Sequence, residues 1–316
     1  KKLYLCIVVS YTILLIAFKY YYIMRKESFK SAEQSIKNYL YSDDLKAYTS
    51  FDLTKIFKEK RNEWNIADYR NHYHFLKFLA DSNILKNIKL QHQSSAVIKQ
   101  IYEEPDATLF NIALTIKKDG YLSNYTAMQI HQLTLQIPKS IYVSYGKGHS
   151  HSFNRNDIVL EQNSIDLAFS KPQRITSESY KSVIDNTRFY FIQKSYIEQN
   201  VGIIFKDGYY YTDLERTLID IAIRPAYSGG VFEVLEAFEI ARDIVDIEKV
   251  NEYLVKLNYI YPYHQLIGFY MDKAGYNKKI IDNNFLKNIV NNFYLTYNMS
   301  NKQFDTKWKI YFPKGF

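Results

Sequence analysis

Tyr211-Thr212-Asp213-Leu214-Glu215-Arg216-Thr217-Leu218-Ile219-Asp220, followed by Arg224-Pro225-Ala226-Tyr227-Ser228-Gly229-Gly230, joins three kinds of local signal in one stretch. Thr212 is placed to cap a helix, with Glu215 three residues later closing a capping box. Leu214, Leu218, Ile221 and Ala222 recur at helical spacing along one face, and Arg216 and Asp220, four residues apart, form a candidate ion pair beside it. Pro225 stops this helix. Gly229-Gly230 lets the chain turn before a second helix, Val231 to Asp243, whose apolar positions Val234, Leu235, Phe238 and Ala241 repeat at the same interval. The stretch predicts a helical hairpin with rigid punctuation.

Towards the amino terminus the chain is helical and charged. Ser31 to Tyr41 reads as a short helix broken by Ser42-Asp43-Asp44. Thr49 and Asp52 form a capping box for a helix over Ser50 to Trp64, which gathers Leu53, Ile56, Phe57 and Trp64 on one side. The next helix, Ala67 to Ala80, is expected to bury Tyr69, Tyr73, Leu76, Leu79 and Ala80, leaving Arg70, Asn71, His74 and Lys77 on the opposite face. Two β-like segments follow, Ile84 to Gln91 and Ala96 to Tyr102, joined by the short polar turn His92-Gln93-Ser94-Ser95. Three helices followed by a two-stranded wing is the order of a winged helix-turn-helix, in which the last helix enters the major groove. Arg70, Asn71 and His74 are then expected to face bases, Lys77 to bind DNA from the same face, and Lys55, Lys58, Lys86 and Lys89 to hold phosphates. Between Leu45 and Gln100 ten Lys and Arg stand against five Asp and Glu, a surplus that suits a polyanion.

The remainder reads as α+β. Helices are expected over Thr108 to Lys117, Thr126 to Leu133, Glu248 to Leu257 and Ile280 to Asn288. Short strands are expected at Ser140 to Tyr145, Asp157 to Leu160, Phe189 to Gln193, Gly202 to Phe205 and Tyr209 to Thr212. Glu103-Glu104-Pro105-Asp106 is the expected boundary, because Pro105 cannot donate to a strand ladder and the acids belong on a surface. The domains are thus expected at 24–104 and 105–316.

Catalytic signals are weak by comparison. His149 and His151 alternate without a clustered acid, which favours an exposed turn over a metal site. Gly146-Lys147-Gly148 lacks the spacing of a phosphate-binding loop. Glu215 and Asp220 have the residue types of nuclease acids but share one helix, with no second element to complete the chemistry. His264 reads as a structural histidine before a catalytic one. No catalytic residue, metal site or cofactor is expected.

Composition is globular, and 316 residues accommodate two ordinary domains. The net charge of +8 permits a nucleic-acid partner, and the single cysteine, Cys6, excludes an intramolecular disulfide or a cysteine-rich zinc site. Tyrosine is abundant at 31 residues and is expected mostly in packing. Leu3 to Phe18 is an uncharged apolar run slightly short of a bilayer span. The first Met is Met24, so residues 1–23 are expected not to belong to the native protein, and a cytoplasmic location is the simplest expectation.

The stretch around 211–230 resembles the AbiEi antitoxin and transcriptional regulator family of AbiE-type (type IV) toxin–antitoxin systems. Three further segments carry the likeness. They are Asp119-Gly120-Tyr121-Leu122-Ser123-Asn124-Tyr125-Thr126-Ala127 with His131-Gln132-Leu133 and Pro138, then Tyr261-Pro262-Tyr263-His264-Gln265-Leu266-Ile267-Gly268-Phe269-Tyr270, then Trp308-Lys309-Ile310-Tyr311-Phe312-Pro313. Together they span most of 45–316 in order. The resemblance implies an amino-terminal winged helix that binds inverted repeats in the operator DNA of its own promoter. It implies a carboxy-terminal antitoxin domain, with Thr212, Glu215, Arg216, Asp220, Arg224, Gly229, Gly230, His264 and Gln265 as motif residues. The family functions in abortive infection, a phage defence, and opposes a nucleotidyltransferase toxin without a stable complex. The Gly-Ser and paired aspartates of such a toxin are missing here, which makes this chain similar to the antitoxin half. Two alternatives stay open: a nuclease-like or other nucleic-acid-modifying enzyme with a winged-helix targeting domain, and a membrane-anchored transcriptional regulator.

Overall fold

A computed structural model describes residues 28–42, 45–137, 139–146, 159–194 and 200–316. The apolar run at 3–18 and the His149/His151 segment lie outside the described residues. The chain is α+β and forms two compact units. The first takes in the residues up to Ile88 with Gln100–Thr108; the second takes in Lys89–Lys99 and Leu109–Phe316. The boundary thus falls a few residues beyond Pro105, and the tip of one hairpin goes with the second unit.

The first unit contains α1 (Glu33–Leu40), β1 (Ala47–Thr49), α2 (Ser50–Lys60) and α3 (His72–Asp81), then only the base of the hairpin formed by β2 (Lys86–His92) and β3 (Ile98–Glu103). The Thr49/Asp52 capping box is present, with Asp52 N donating to Thr49 Oγ1 at 3.1 Å and Thr49 N to Asp52 Oδ2 at 3.0 Å. It starts α2 abruptly at the end of β1, which lies antiparallel to β3 with Tyr48 opposite Tyr102. Leu53, Phe57, Phe75 and Leu79 bury the facing sides of α2 and α3, with Phe57 and Phe75 stacked at 5.0 Å. Ile36, Leu40 and Trp64 complete this core.

The buried stripe of α3 differs from the expected one. Tyr69 and Tyr73 are 74% and 70% exposed, while Phe75 is fully buried. The helix begins only at His72, because Asn71 caps it: His74 N donates to Asn71 Oδ1 at 3.1 Å, and Asn71 N donates to His74 Nδ1 at 3.3 Å. A start five residues later than Ala67 moves Tyr69 into the preceding turn.

In the second unit α4 (Leu109–Ile116), β4 (Tyr121–Leu122), α5 (Tyr125–Ile130) and β5 (Ser140–Gly146) precede α6 (Gln162–Phe169), β6 (Ser179–Ser182) and β7 (Arg188–Lys194). The hairpin β8 (Ile203–Lys206) and β9 (Tyr209–Thr212) leads into α7 (Leu214–Ile223). Sheet order is β6-β7-β5-β4-β9-β8, with β5 parallel to β7 from Ser140↔Arg188 to Gly146↔Lys194 and β4 parallel to β9. Parallel strands need both faces covered, and Ile141, Val143, Phe189 and Phe191 are buried accordingly. Val159 and Leu160 lie outside any strand; α6 follows them instead.

A helical layer completes the unit. After α7 come a 3-10 turn at Pro225–Tyr227, α8 (Val231–Ala241), α9 (Ile247–Leu257), α10 (Tyr263–Lys273) and α11 (Lys278–Phe285). The expected punctuation is present: Gly229 and Gly230 take φ of +80° and +100°, and a Cβ on Gly229 would meet Glu233 Cγ at 2.8 Å. Strands β10 (Phe293–Tyr294), β11 (Lys302–Asp305) and β12 (Ile310–Pro313) form a small separate sheet, β12 pairing parallel with β10 and antiparallel with β11. Among the described residues no helix is long and apolar enough to cross a membrane.

Candidate functional site

On the first unit, α3 presents Tyr73, His74 and Lys77 outward. The other two residues expected to face bases have local duties. Asn71 spends its side-chain carbonyl on the helix cap. The Arg70 guanidinium lies over the rings of Phe29 and Tyr69, at 5.7 and 5.1 Å from their centroids, and is half-buried. Among the expected phosphate-binding lysines, Lys55 is 67% exposed beside Glu59 at 3.9 Å, and Lys86 is 64% exposed with Glu103 at 3.2 Å. Both pairs are solvent-screened and weak. Lys58 and Lys89 are exposed. Tyr73 was missed because its spacing placed it on the inner face.

In the second unit the structure gathers the α7 motif residues into two adjoining ionic clusters. Asp213, not Thr212, is the cap: its Oδ1 accepts from Arg216 N at 2.9 Å, while Thr212 Oγ1 is hydrogen-bonded to Thr217 Oγ1 at 2.7 Å. Thr212 is still held in β9, opposite Ile203, so the helix cannot begin until the next residue. Glu215 closes no capping box. Its Oε2 receives Lys249 Nζ at 2.7 Å and its Oε1 receives Asp246 N at 3.1 Å. Lys249 also reaches Asp213 Oδ2 at 3.0 Å, where the Tyr253 hydroxyl donates at 2.7 Å. Burial would lower Lys249, but the hydrogen bonds it donates to both carboxylates hold it above its ordinary value. Burial and the Asp213 contact push the Tyr253 hydroxyl up to about 12.

One turn further on, Arg216 Nε meets Asp220 Oδ1 at 3.1 Å, with side chains only 6% and 1% exposed. Arg216 Nη1 donates to the Val201 carbonyl at 2.7 Å, and Lys194 Nζ reaches the same Asp220 oxygen at 3.3 Å. Burial alone would raise Asp220; the charges of Arg216 and Lys194 outweigh it and lower the carboxyl. Burial lowers Lys194, against the pull of Asp220. The expected Arg216–Asp220 pair is therefore real. Among the described residues Arg224 makes no comparable pair: its Nη1 lies 3.5 Å from the Arg174 carbonyl. Nothing local in the sequence pointed to Lys194 or Lys249, which meet the helix from 26 and 34 residues away.

The two remaining motif residues part company on α10. Gln265 is fully buried and donates from Nε2 to the carbonyls of Asn291, Trp308 and Lys309 at 3.0, 2.5 and 3.1 Å. It ties α10 to the carboxy-terminal sheet and has no surface to offer a partner. His264 instead forms part of the wall of a cleft of about 460 Å³. Burial lowers its pKa, opposed by a hydrogen bond to the Lys287 backbone, and Nε2 is buried without a partner. Among the described residues no group of three His, Cys, Asp or Glu is placed to hold a metal ion.

No family model matches this chain, and no curated protein matches it. Its fold is similar to the crystal structure of the RV2827C protein from Mycobacterium tuberculosis, over 89% of this chain and 91% of that one, with a TM-score of 0.56. Identity over that match is 10%, so the likeness is one of fold.

Proposed function

We propose that the chain is an AbiEi-type antitoxin whose first unit is a winged helix-turn-helix that binds the inverted repeats of its own operator DNA. The observation that carries the reading is β1 closing antiparallel on β3 through Tyr48 and Tyr102, with α2 and α3 between them. A helix pair enclosed by a strand and a hairpin is how a winged helix presents its last helix to the major groove. On that helix Tyr73, His74 and Lys77 face outward and supply the side chains for base edges, with Lys55 and Lys58 on α2 and Lys86 on β2 directed to phosphates. Asn71 and Arg70 support the helix and its approach.

The second unit carries the antitoxin activity against a nucleotidyltransferase toxin and acts without a stable toxin complex, a cofactor or catalysis of its own. The ionic clusters of α7 support a structural role for Glu215, Arg216 and Asp220, since each charged group is already engaged within the chain. The test has two arms. The full chain is titrated against DNA from upstream of its own coding sequence, and co-expressed with the product of the adjacent gene. Specific binding with rescue of growth is the expected result. Rescue that survives loss of DNA binding would assign protection to the second unit alone. Neither binding nor rescue would overturn the reading.

A further inference from the structure

Lys89–Lys99, the hairpin tip that belongs to the second unit, lies along β6 and extends that unit's sheet. In this ladder Gln91 stands opposite Lys181 and His92 opposite Tyr180; Lys181 stands opposite Arg188 on β7, and Arg188 opposite Ser140 on β5. Residues opposite one another share a face of the sheet, as do residues two apart on one strand. Lys89, Gln91, Lys181, Arg188 and Ser140 therefore line one face of four neighbouring strands. Three of the five are cations and none is an acid.

Like charges directly opposite one another destabilise a ladder, so Lys181 facing Arg188 calls for a counter-charge. Among the described residues no carboxylate forms an ion pair with either, or with Lys89. Glu178, just before β6, is engaged by Lys117 at 3.1 Å and by the Tyr145 hydroxyl at 2.6 Å, and Asp185, in the β6–β7 turn, accepts from Thr187 N at 3.1 Å. Farther along the same face Tyr142 and Tyr190 stack at 5.1 Å, with Tyr227 beside Tyr142. The cations occupy the uncovered margin, where Lys89 and Arg188 are exposed and Lys181 is half-buried. The row is also held in place: Val183 N donates to the Lys89 carbonyl at 3.1 Å, and Gln91 Nε2 to the Ser95 carbonyl at 2.8 Å.

We propose that Lys89, Lys181 and Arg188 hold successive phosphates of a DNA duplex, so that the second unit makes a backbone contact of its own. That the polyanion is DNA rests on the operator-binding reading; the row itself rests on the ladder. An open line of cations on three strands, each about 4.8 Å from the next, suits a line of phosphates better than one enclosed anion. The Arg188 guanidinium can take a phosphate through two N–H groups, and the two lysines act as point charges. Such contacts position a duplex without reading its sequence.

The experiment measures binding of the full chain to operator and scrambled duplexes as a function of salt. Lys181→Gln with Arg188→Gln should lower the slope of log K against log salt by about 1.8 on both duplexes, so that the loss of affinity between about 50 and 200 mM salt becomes about tenfold smaller. The preference for operator should stay as it was, and the urea midpoint should not fall, because a repelling pair has been removed. The charge-conserving exchange Lys181→Arg with Arg188→Lys should keep the slope, and so should Lys206→Gln, an exposed lysine on β8 at the far edge of the sheet. If the winged-helix reading fails, the preference for operator is absent while the drop in slope remains. An unchanged slope in the double Gln variant, a drop in Lys206→Gln as well, a loss confined to operator, or a lowered urea midpoint overturns the phosphate row.

Discussion

Trp308 occupies the space that any side chain on residue 268 would need. An ideal Cβ on Gly268 would lie 2.2 Å from Trp308 Cζ3 and 3.0 Å from Phe285 Cβ. The indole is fully buried and anchored, with Nε1 donating to Asp272 Oδ2 at 2.7 Å, so it cannot swing aside. Gly268→Ala gains about 1 kcal/mol of helix propensity but must overpack a filled core, at about 1–3 kcal/mol. A net loss of stability, read as a lower urea midpoint, is expected; an unchanged midpoint would mean that α10 is not seated on Trp308.

Arg216 and Arg224 lie eight residues apart and should respond differently. Arg216→Ala leaves Asp220 buried with Lys194 as its remaining cation, and a broken buried pair costs about 3–5 kcal/mol. Arg224→Ala removes no such pair and should stay within about 0.5 kcal/mol. Urea unfolding measures both. A toxin-rescue assay run beside it should show protection falling with stability at Arg216. Absence of protection at an unchanged midpoint would instead mark the side chain as a contact surface.

Two groups contribute to the acid limb of stability in separate windows. The folded pKa of His264 is lowered, so the unfolded chain takes up a proton first, and stability falls as pH drops below the ordinary histidine range. The folded pKa of Asp220 is also lowered; its contribution is fully present above the ordinary carboxylate value and is lost only as pH falls through the lower folded one. Unfolding midpoints between about pH 7 and 3 should thus fall in two stages. His264→Phe should remove the first stage and leave the second; loss of both or neither would contradict these positions.

Much of this fold was legible in the sequence where local chemistry decides it. Thr49 with Asp52, Pro225, and Gly229-Gly230 mark turns and helix ends by their own stereochemistry, and the structure has them there. The misplaced faces came from competition between equally suitable neighbours. Thr212 and Asp213 are both cap residues, and the β9 ladder chose between them. Tyrosine fits either side of a helix, and Phe75, buried with Leu79 against Phe57, took the inner face of α3 and left Tyr73 on the outer one. Two-residue strands such as β10, and the meeting of Lys194 and Lys249 with α7, depend on partners far along the chain and leave no periodic trace.

On α3, capping and recognition separate by mutation. Asn71→Ala removes the cap and should cost about 1 kcal/mol of stability. Tyr73→Ala and Lys77→Ala, both on the exposed face, should leave stability within about 0.5 kcal/mol. If α3 enters the groove, these two changes weaken operator binding by about 1–3 kcal/mol and relax sequence preference. Fluorescence anisotropy against operator and scrambled duplexes reads the difference; an equal loss on both would reduce the helix to a backbone contact.

The most direct test of the winged-helix reading is the salt dependence of operator binding for the full chain and for a variant in which Lys55, Lys58 and Lys86 are replaced by Gln. Each phosphate that the variant no longer neutralises should lower the slope of log K against log salt by about 0.9, so the variant's slope should be shallower by roughly 2–3. A slope near zero for the full chain, or the same slope for both proteins, would contradict it.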